Sequence, residues 1–288
     1  MNTSVGTIFA IMSMLGYGLG NAISKAPVEA LGSRKTLFYR NILISIVLFT
    51  ILIFNLKESQ FNSTYILVGL LISLIGYIPI IAFFEAIKRG KVGVISPVAS
   101  SSLIVTIFLS IIFFKETLTH NQIFAILFIV FGIILIFVNL KDLKRSNIFS
   151  ISSGVPFALI ACLGWGLVFF LMKFPVSKLG PIFSAFILES GLVIFSGIHL
   201  KSKGESFKVH KKYYKYLFIT AIATMFGTLF YNYGINATSV SLVAAISACA
   251  PLVVTIYGKV VYKEKLSFQQ YSASLVIVIG IITLSYFK

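Results

Sequence analysis

Glu189 sits near the middle of an otherwise uncharged run from Ile182 to Ile198. In so apolar a setting an unpaired carboxylate costs several kcal/mol or takes up a proton. Such a group is either a proton-coupling or amine-binding carboxylate, or a hydrogen-bond anchor between helices. Arg40 stands near the start of another apolar run. Its guanidinium suits a substrate carboxylate held by two parallel N–H bonds, or else snorkels to the polar boundary. Glu85 is followed by Lys88, Arg89 and Lys91; it reads as a local helical ion pair or as an acidic group at a cavity mouth.

Tyr17 lies between Gly16 and Gly18, and Trp165 between Gly164 and Gly166. Both aromatics are too deep in their runs for an interfacial belt, so they form either an aromatic floor for a substrate ring or cation, or core packing. The flanking glycines admit a neighbouring backbone or ligand and mark points where a helix can kink or gate. Pro97 and Pro251 each remove a helical hydrogen bond, to the carbonyls of Gly93 and Ser247, and a carbonyl freed inside a bilayer needs another group or cavity water. Ser96, Ser100, Ser101 and Ser102, and Ser247 with Cys249, give those stretches a small polar side, suited to a cavity wall or to close helix packing. Tyr231, Asn232, Tyr233 and Asn236 make a polar segment end that supplies cavity hydrogen bonds or interfacial anchors. Asn21 is a further cavity candidate.

Other chemistry finds little footing. There is no HExxH, no phosphate-cradling Gly loop followed by Lys-Ser/Thr, and no G-x-S-x-G elbow. His120, His199 and His210 lack metal-ligand spacing, and Cys162 and Cys249 both lie in apolar stretches. No catalytic centre, metal site, cofactor or structural disulfide is expected.

The elements that must position these residues are membrane helices. Hydrophobic residues make up 58% of the chain, charged residues 11%, and the mean hydropathy is +1.00, against a charged fraction of about 25% in ordinary soluble domains. A net charge of +16 is dispersed through short connections, so a nucleic-acid partner is not expected. A 19-residue window gives ten spans, at about 5–24, 36–55, 64–87, 92–114, 120–139, 154–173, 180–199, 213–235, 240–260 and 268–287. The first has no charged segment before it and reads as a retained helix rather than a cleaved leader.

The chain is also two copies of one unit. Lys115, Glu116, Leu118, Gln122, Ala125 and Gly132 return 148 residues later as Lys263, Glu264, Leu266, Gln270, Ala273 and Gly280. At the same offset Lys25, Pro27 and Gly32 return as Lys173, Pro175 and Gly180, and Glu189 falls opposite Asn41. The Lys-Glu pairs read as solvated turns, with Thr119 and Ser267 capping the helices that follow. The expected halves are 1–140 and 149–288 with a linker at 141–148. Five helices per half is odd, so the second half enters from the opposite side and the repeats are inverted, as in many secondary transporters.

Five plus five helices, an aromatic between glycines in the first helix of each half, the Pro97 and Pro251 helices, and a Lys-Glu-x-Leu turn before a Gly-bearing last helix together resemble the EamA type of the drug/metabolite transporter superfamily. The resemblance covers essentially the whole chain. It implies an all-α, ten-helix carrier in the inner or plasma membrane with a central cavity, moving a small polar or amphipathic metabolite by alternating access, coupled to protons or to exchange. An amino acid or amine is the expected substrate, and the carrier acts as a monomer or homodimer in a lipid bilayer. A passive channel and a non-transporting scaffold are the alternatives. Loops after odd-numbered helices hold 18 Lys and Arg and the opposite side 5, which by the positive-inside rule puts both termini outside. The resembled family is drawn with both termini inside.

Overall fold

The computed structural model describes residues 3–56, 60–89, 95, 98–137, 154–261, 263 and 265–286. Pro97, Ser96, Gly93, Glu264 and the expected linker 141–148 lie outside them, as do the side chains of Lys25 and Lys88. Among the described residues the helical segments group into ten membrane helices. In the first half these are α1 (Thr3–Leu31), α2 (Ser33–Phe54), α3 (Ser63–Arg89), α4 (Ser102–Phe114, preceded by helical turns from Val98) and α5 (His120–Phe137). In the second half they are α6 (Val155–Leu171 and Lys173–Leu179), α7 (Pro181–Ser202), α8 (Tyr214–Ala237), α9 (Val240–Ser247 and Ala250–Val261) and α10 (Phe268–Tyr286). Eight are long and apolar enough to cross a membrane, and the described parts of α4 and α5 are shorter apolar helices. The fold is all-α and polytopic, two inverted five-helix repeats.

Backbone chemistry dictates this choice. In hydrocarbon every N–H and C=O must be satisfied within the segment, which a helix does alone. Side chains then sort by face. Ile8, Phe49, Leu67, Phe108, Phe131, Leu163, Phe218 and Leu275 stand exposed as a lipid-facing surface, while Ala, Ser, Thr and Gly turn inward with Ile and Leu. Small inward residues bring the helices together where no hydrophobic effect can.

The inverted repeat is written in the packing. α1 lies on α8 and α9, while its mate α6 lies on α3 and α4; α2, α4 and α5 each pack against their own mates α7, α9 and α10. The contact points are exchanged residue for residue. A Cβ on Gly16 would come within 2.4 Å of the Gly227 nitrogen. The mates of these two residues, Gly164 and Pro79, meet at the equivalent crossing. Gly132 and Gly280 are placed the same way, against Ile277 and Ile129 respectively. Gly32 and Gly180, with φ of 79° and 86°, make the equivalent turns into α2 and α7, a backbone region that glycine enters without penalty.

Two helices are interrupted. α9 stops at Ser247 and resumes at Ala250, placing Pro251 in the first turn of its second segment, where the missing N–H costs little. Ser247 donates to the Ala10 carbonyl at 3.5 Å, and Thr255 to the Pro251 carbonyl at 3.0 Å. α6 is interrupted at Met172, before Pro175.

The Gly16 crossing is limited by backbone on its far side, so Gly16→Ala must displace a whole helix. Overpacking of this kind costs about 1–3 kcal/mol. Melting in detergent should show the Gly16→Ala midpoint several degrees below wild type. Gly76→Ala is the control, since its new Cβ would meet only the Val168 side chain, at an ordinary 3.5 Å, and its midpoint should hold.

Candidate functional site

The crossing of α2 and α7 carries the buried polar centre. On α2, Leu37, Asn41, Ile44 and Leu48 form the buried stripe, recurring at the three- and four-residue spacing of one helix face, with half-buried Arg40 on its flank. On α7, Ile182, Ala185, Glu189 and Leu192 do the same. Asn41 and Glu189 occupy the same place in the two repeats and touch: Asn41 Nδ2 donates to Glu189 Oε2 at 3.0 Å. The pseudo-two-fold axis therefore passes close to this bond.

The other carboxylate oxygen, Oε1, accepts from Thr228 Oγ1 of α8 at 2.7 Å. Thr228 in turn accepts from the Tyr17 hydroxyl of α1 at 3.4 Å, and Arg40 Nε donates to Asn41 Oδ1 at 2.9 Å. Three helices from both halves, α1, α2 and α8, thus direct the donors of this hydrogen-bond chain toward Glu189 on α7. Asn41 is 0% exposed, and Glu189 and Thr228 3% each. A carboxyl group so placed has a hydrogen-bond donor on each oxygen and a guanidinium nearby. One turn along, Ser190 donates to Ser45 at 3.3 Å across the same crossing.

The two faces of the molecule differ. Where α2 begins, Arg34 pairs with Glu205 of the α7–α8 connection, Tyr39 donates to the Phe207 carbonyl, and the Tyr77 hydroxyl meets His199 Nδ1 at 2.6 Å. These contacts join the halves. The repeat mates of Arg34, Tyr39, Tyr77 and His199 are Ile182, Ile187, Met225 and Ile51, so the opposite face has no polar counterpart to them. A cavity of about 240 Å³ opens on that opposite face beside Ser177, Lys178, Tyr233 and Asn236, whereas the one behind Arg34, Glu85 and Glu205 holds about 80 Å³.

A family model described as the EamA-like transporter family matches residues 4–138 and again 152–286, the second match lying 148 residues after the first. The chain belongs to that family. An uncharacterized transporter of Archaeoglobus fulgidus is 24% identical over 211 residues, covering 72% of this chain and 71% of that protein. An uncharacterized protein of Methanocaldococcus jannaschii is 29% identical over 142 residues, covering 47% of this chain and 97% of the other. A crystal structure 14% identical superposes with a TM-score of 0.80 over 98% of this chain and 99% of its own, which shows the shared fold. The EamA-like transporter is a multi-pass integral membrane protein.

Of the residues singled out in the EamA-like sequence, Tyr17, Arg40 and Glu189 come together. Trp165 does not join them: it packs on Phe83 at 5.0 Å among Ala82, Ala99 and Ala161, while Tyr17 lies over Gly227 and edge-on to Phe169 at 6.0 Å. The two aromatics thus occupy separate packing sites related by the repeat. Gly16, Gly18, Gly164 and Gly166 are occupied by helix contacts, with Gly18 meeting Val253 and Gly166 meeting Val105. Tyr231 is buried and donates to the Phe169 carbonyl at 3.0 Å. Asn232 donates to the Pro181 carbonyl at 3.1 Å. Asn21 is exposed and Ser100 half-buried. Glu85 pairs with Arg89 one turn on, at 3.4 Å.

Glu116 corrects the sequence reading. It does not sit in a solvated turn: its carboxylate accepts from Val240 N at 2.7 Å, Ser241 N at 3.0 Å and Ser241 Oγ at 2.5 Å. A carboxylate from the first half thus caps the N-terminus of α9 in the second. Lys173 donates to the Ile235 carbonyl near the end of α8, so charged groups hold both sides of the α8–α9 turn. Lys115 and Lys263, at φ of 53° and 55°, bend the two halves alike, after α4 and after α9. Thr119 and Ser267 do cap α5 and α10, each exchanging bonds with the Gln three residues on. Replacing Glu116 by Ala strips three donors of their acceptor. Unfolding in detergent should show a loss of about 1–2 kcal/mol, and Ser241→Ala a smaller one.

Proposed function

We propose that this EamA-like protein is a secondary carrier of the inner or plasma membrane. It moves a small polar or amphipathic metabolite, an amino acid or amine class compound, by alternating access around the α2–α7 crossing. The observation that carries the reading is the Asn41–Glu189 bond. A carboxylate at the pseudo-axis, contacted by both halves, is where rocking of one half against the other is felt most directly. Intramembrane acidic groups of this kind mark substrate and proton pathways. The unequal faces support the reading too: one is latched between halves by Arg34–Glu205 and its neighbours, and the larger cavity opens on the other. Such a state has its partner in one where the latch is broken and the opposite face closes.

In this reading Glu189 exchanges a proton or counter-substrate as Asn41 and Thr228 shift, and Pro251 with the interruption of α9 gives that helix a place to bend. A passive channel would instead need a continuous polar pore, and the centre of this molecule is filled by a hydrogen-bonded cluster.

Counterflow in proteoliposomes decides between these. Vesicles loaded with a mixed unlabelled pool of amino acids and amines should accumulate one labelled member of the pool transiently above equilibrium, and Glu189→Gln, folded by its melting curve, should fall to background. Flux without saturation or overshoot would identify a channel. No flux from folded protein would remove the carrier reading for this pool.

A further inference from the structure

The central chain of hydrogen bonds ends at Arg40, and the chemistry of that end constrains the solute. Glu189 is buried, 3% exposed, with Asn41 and Thr228 packed against its two oxygens as hydrogen-bond donors. An ammonium group has no approach to it without dismantling the cluster. Asn41 is spent in both directions, accepting from Arg40 and donating to Glu189. Thr228 is spent likewise.

Arg40 is different. A guanidinium has five N–H donors in a rigid planar fork. Among the described residues only Nε is engaged, by Asn41 Oδ1, and the residue is half-buried on the inner flank of α2 rather than sealed. That Nε bond also fixes the plane of the fork at the crossing, so the side chain is not reaching to the polar boundary as a snorkelling arginine does. With no hydrogen bond to either Nη among the described residues, the Nη groups form a pre-oriented pair of charged donors beside the pseudo-axis. Their complement is a pair of acceptor oxygens in one plane. With a single guanidinium and one carboxylate already in the cluster, a monoanionic head fits the charge better than a doubly charged phosphate.

Resting on the carrier reading above, we infer that the transported solute bears a carboxylate and that the free Nη edge of Arg40 binds it. Simple amines are not substrates. Arg40 thus sets specificity, and Asn41 is the positioning residue that holds its plane.

The test uses the whole protein, purified in detergent for melting curves and reconstituted for counterflow. Probes are the protein amino acids and short monocarboxylates, each acid paired with its primary amide and, for the amino acids, with the decarboxylated amine. At least one acid should raise the melting midpoint, as a ligand of the folded state must, and the same acid should show counterflow; its amide and amine should do neither. Arg40→Lys keeps the positive charge but loses the fork, and, read against its own unliganded midpoint, should bind that acid at least about tenfold more weakly. Arg40→Gln should abolish the shift.

Accumulation of an amine or amide as good as its acid would overturn the inference and leave the carrier intact. So would an acid that Arg40→Lys binds as tightly as wild type does. If no probe shifts the midpoint or accumulates, the inference falls together with the amino acid and amine reading.

Discussion

Everything in the centre of this molecule follows from placing one carboxylate where water does not reach. Glu189 is tolerable there because Asn41, Thr228, Arg40 and Tyr17 converge on it from three other helices. Removing a single partner from a buried charge cluster leaves an uncompensated charge, which costs far more than an ordinary hydrogen bond. The cluster consequently dictates which helices must be adjacent: α2 against α7, with α8 and α1 closing over the crossing. Close approach at Gly16 and Gly227 brings α1 near enough to α8 for Tyr17 to reach Thr228.

The repeat explains why this centre is asymmetric. Two identical carboxylates at the axis would repel each other in low dielectric and could not both ionise. One copy has Glu189 and the other Asn41, so the same geometric position supplies an acceptor on one side and a donor on the other. Divergence of the halves is thus what makes the axis habitable by a charge. The same logic runs outward to the faces, where Arg34, Tyr39, Tyr77 and His199 make polar contacts and their mates Ile182, Ile187, Met225 and Ile51 cannot. An inverted repeat with identical halves would tie its two faces equally; these differences make the polar contacts of the two faces unequal.

Much of this was legible beforehand, for definite reasons. Hydropathy and the 148-residue offset carry the helix number and the inverted arrangement, because membrane helices leave a strong one-dimensional signal and repeat symmetry then fixes pairings. Glu189 stood out as a lone charge in an apolar run, and its equivalence to Asn41 was visible in the numbering. Thr228 was not, since one threonine among many in α8 has no distinctive spacing. Nor was the destination of Glu116. A Lys-Glu turn looks solvated from its own neighbours, and only the three-dimensional path of α9 brings the N–H groups of Val240 and Ser241 to it. The relative placement of Tyr17 and Trp165 is not legible either: equivalent positions in inverted halves are related by the axis, which places them at matching sites and not at one site.

The charges of Glu116 and Lys173 gain a physical reason from their partners. Helix ends expose unpaired N–H groups at the start and carbonyls at the finish, and a short turn inside a membrane protein has little water to satisfy them. At the α8–α9 turn an anion caps the N–H end of α9 and a cation the carbonyl end of α8, matching the helix dipoles. Since Glu116 comes from the first half and the turn from the second, this cap also ties the repeats together outside the central cluster. Glycine contacts, charged caps and the Asn41–Glu189 bond are then three separate devices joining the same two halves. The last joins one residue directly to its own repeat mate, so a single bond links equivalent places in the two halves.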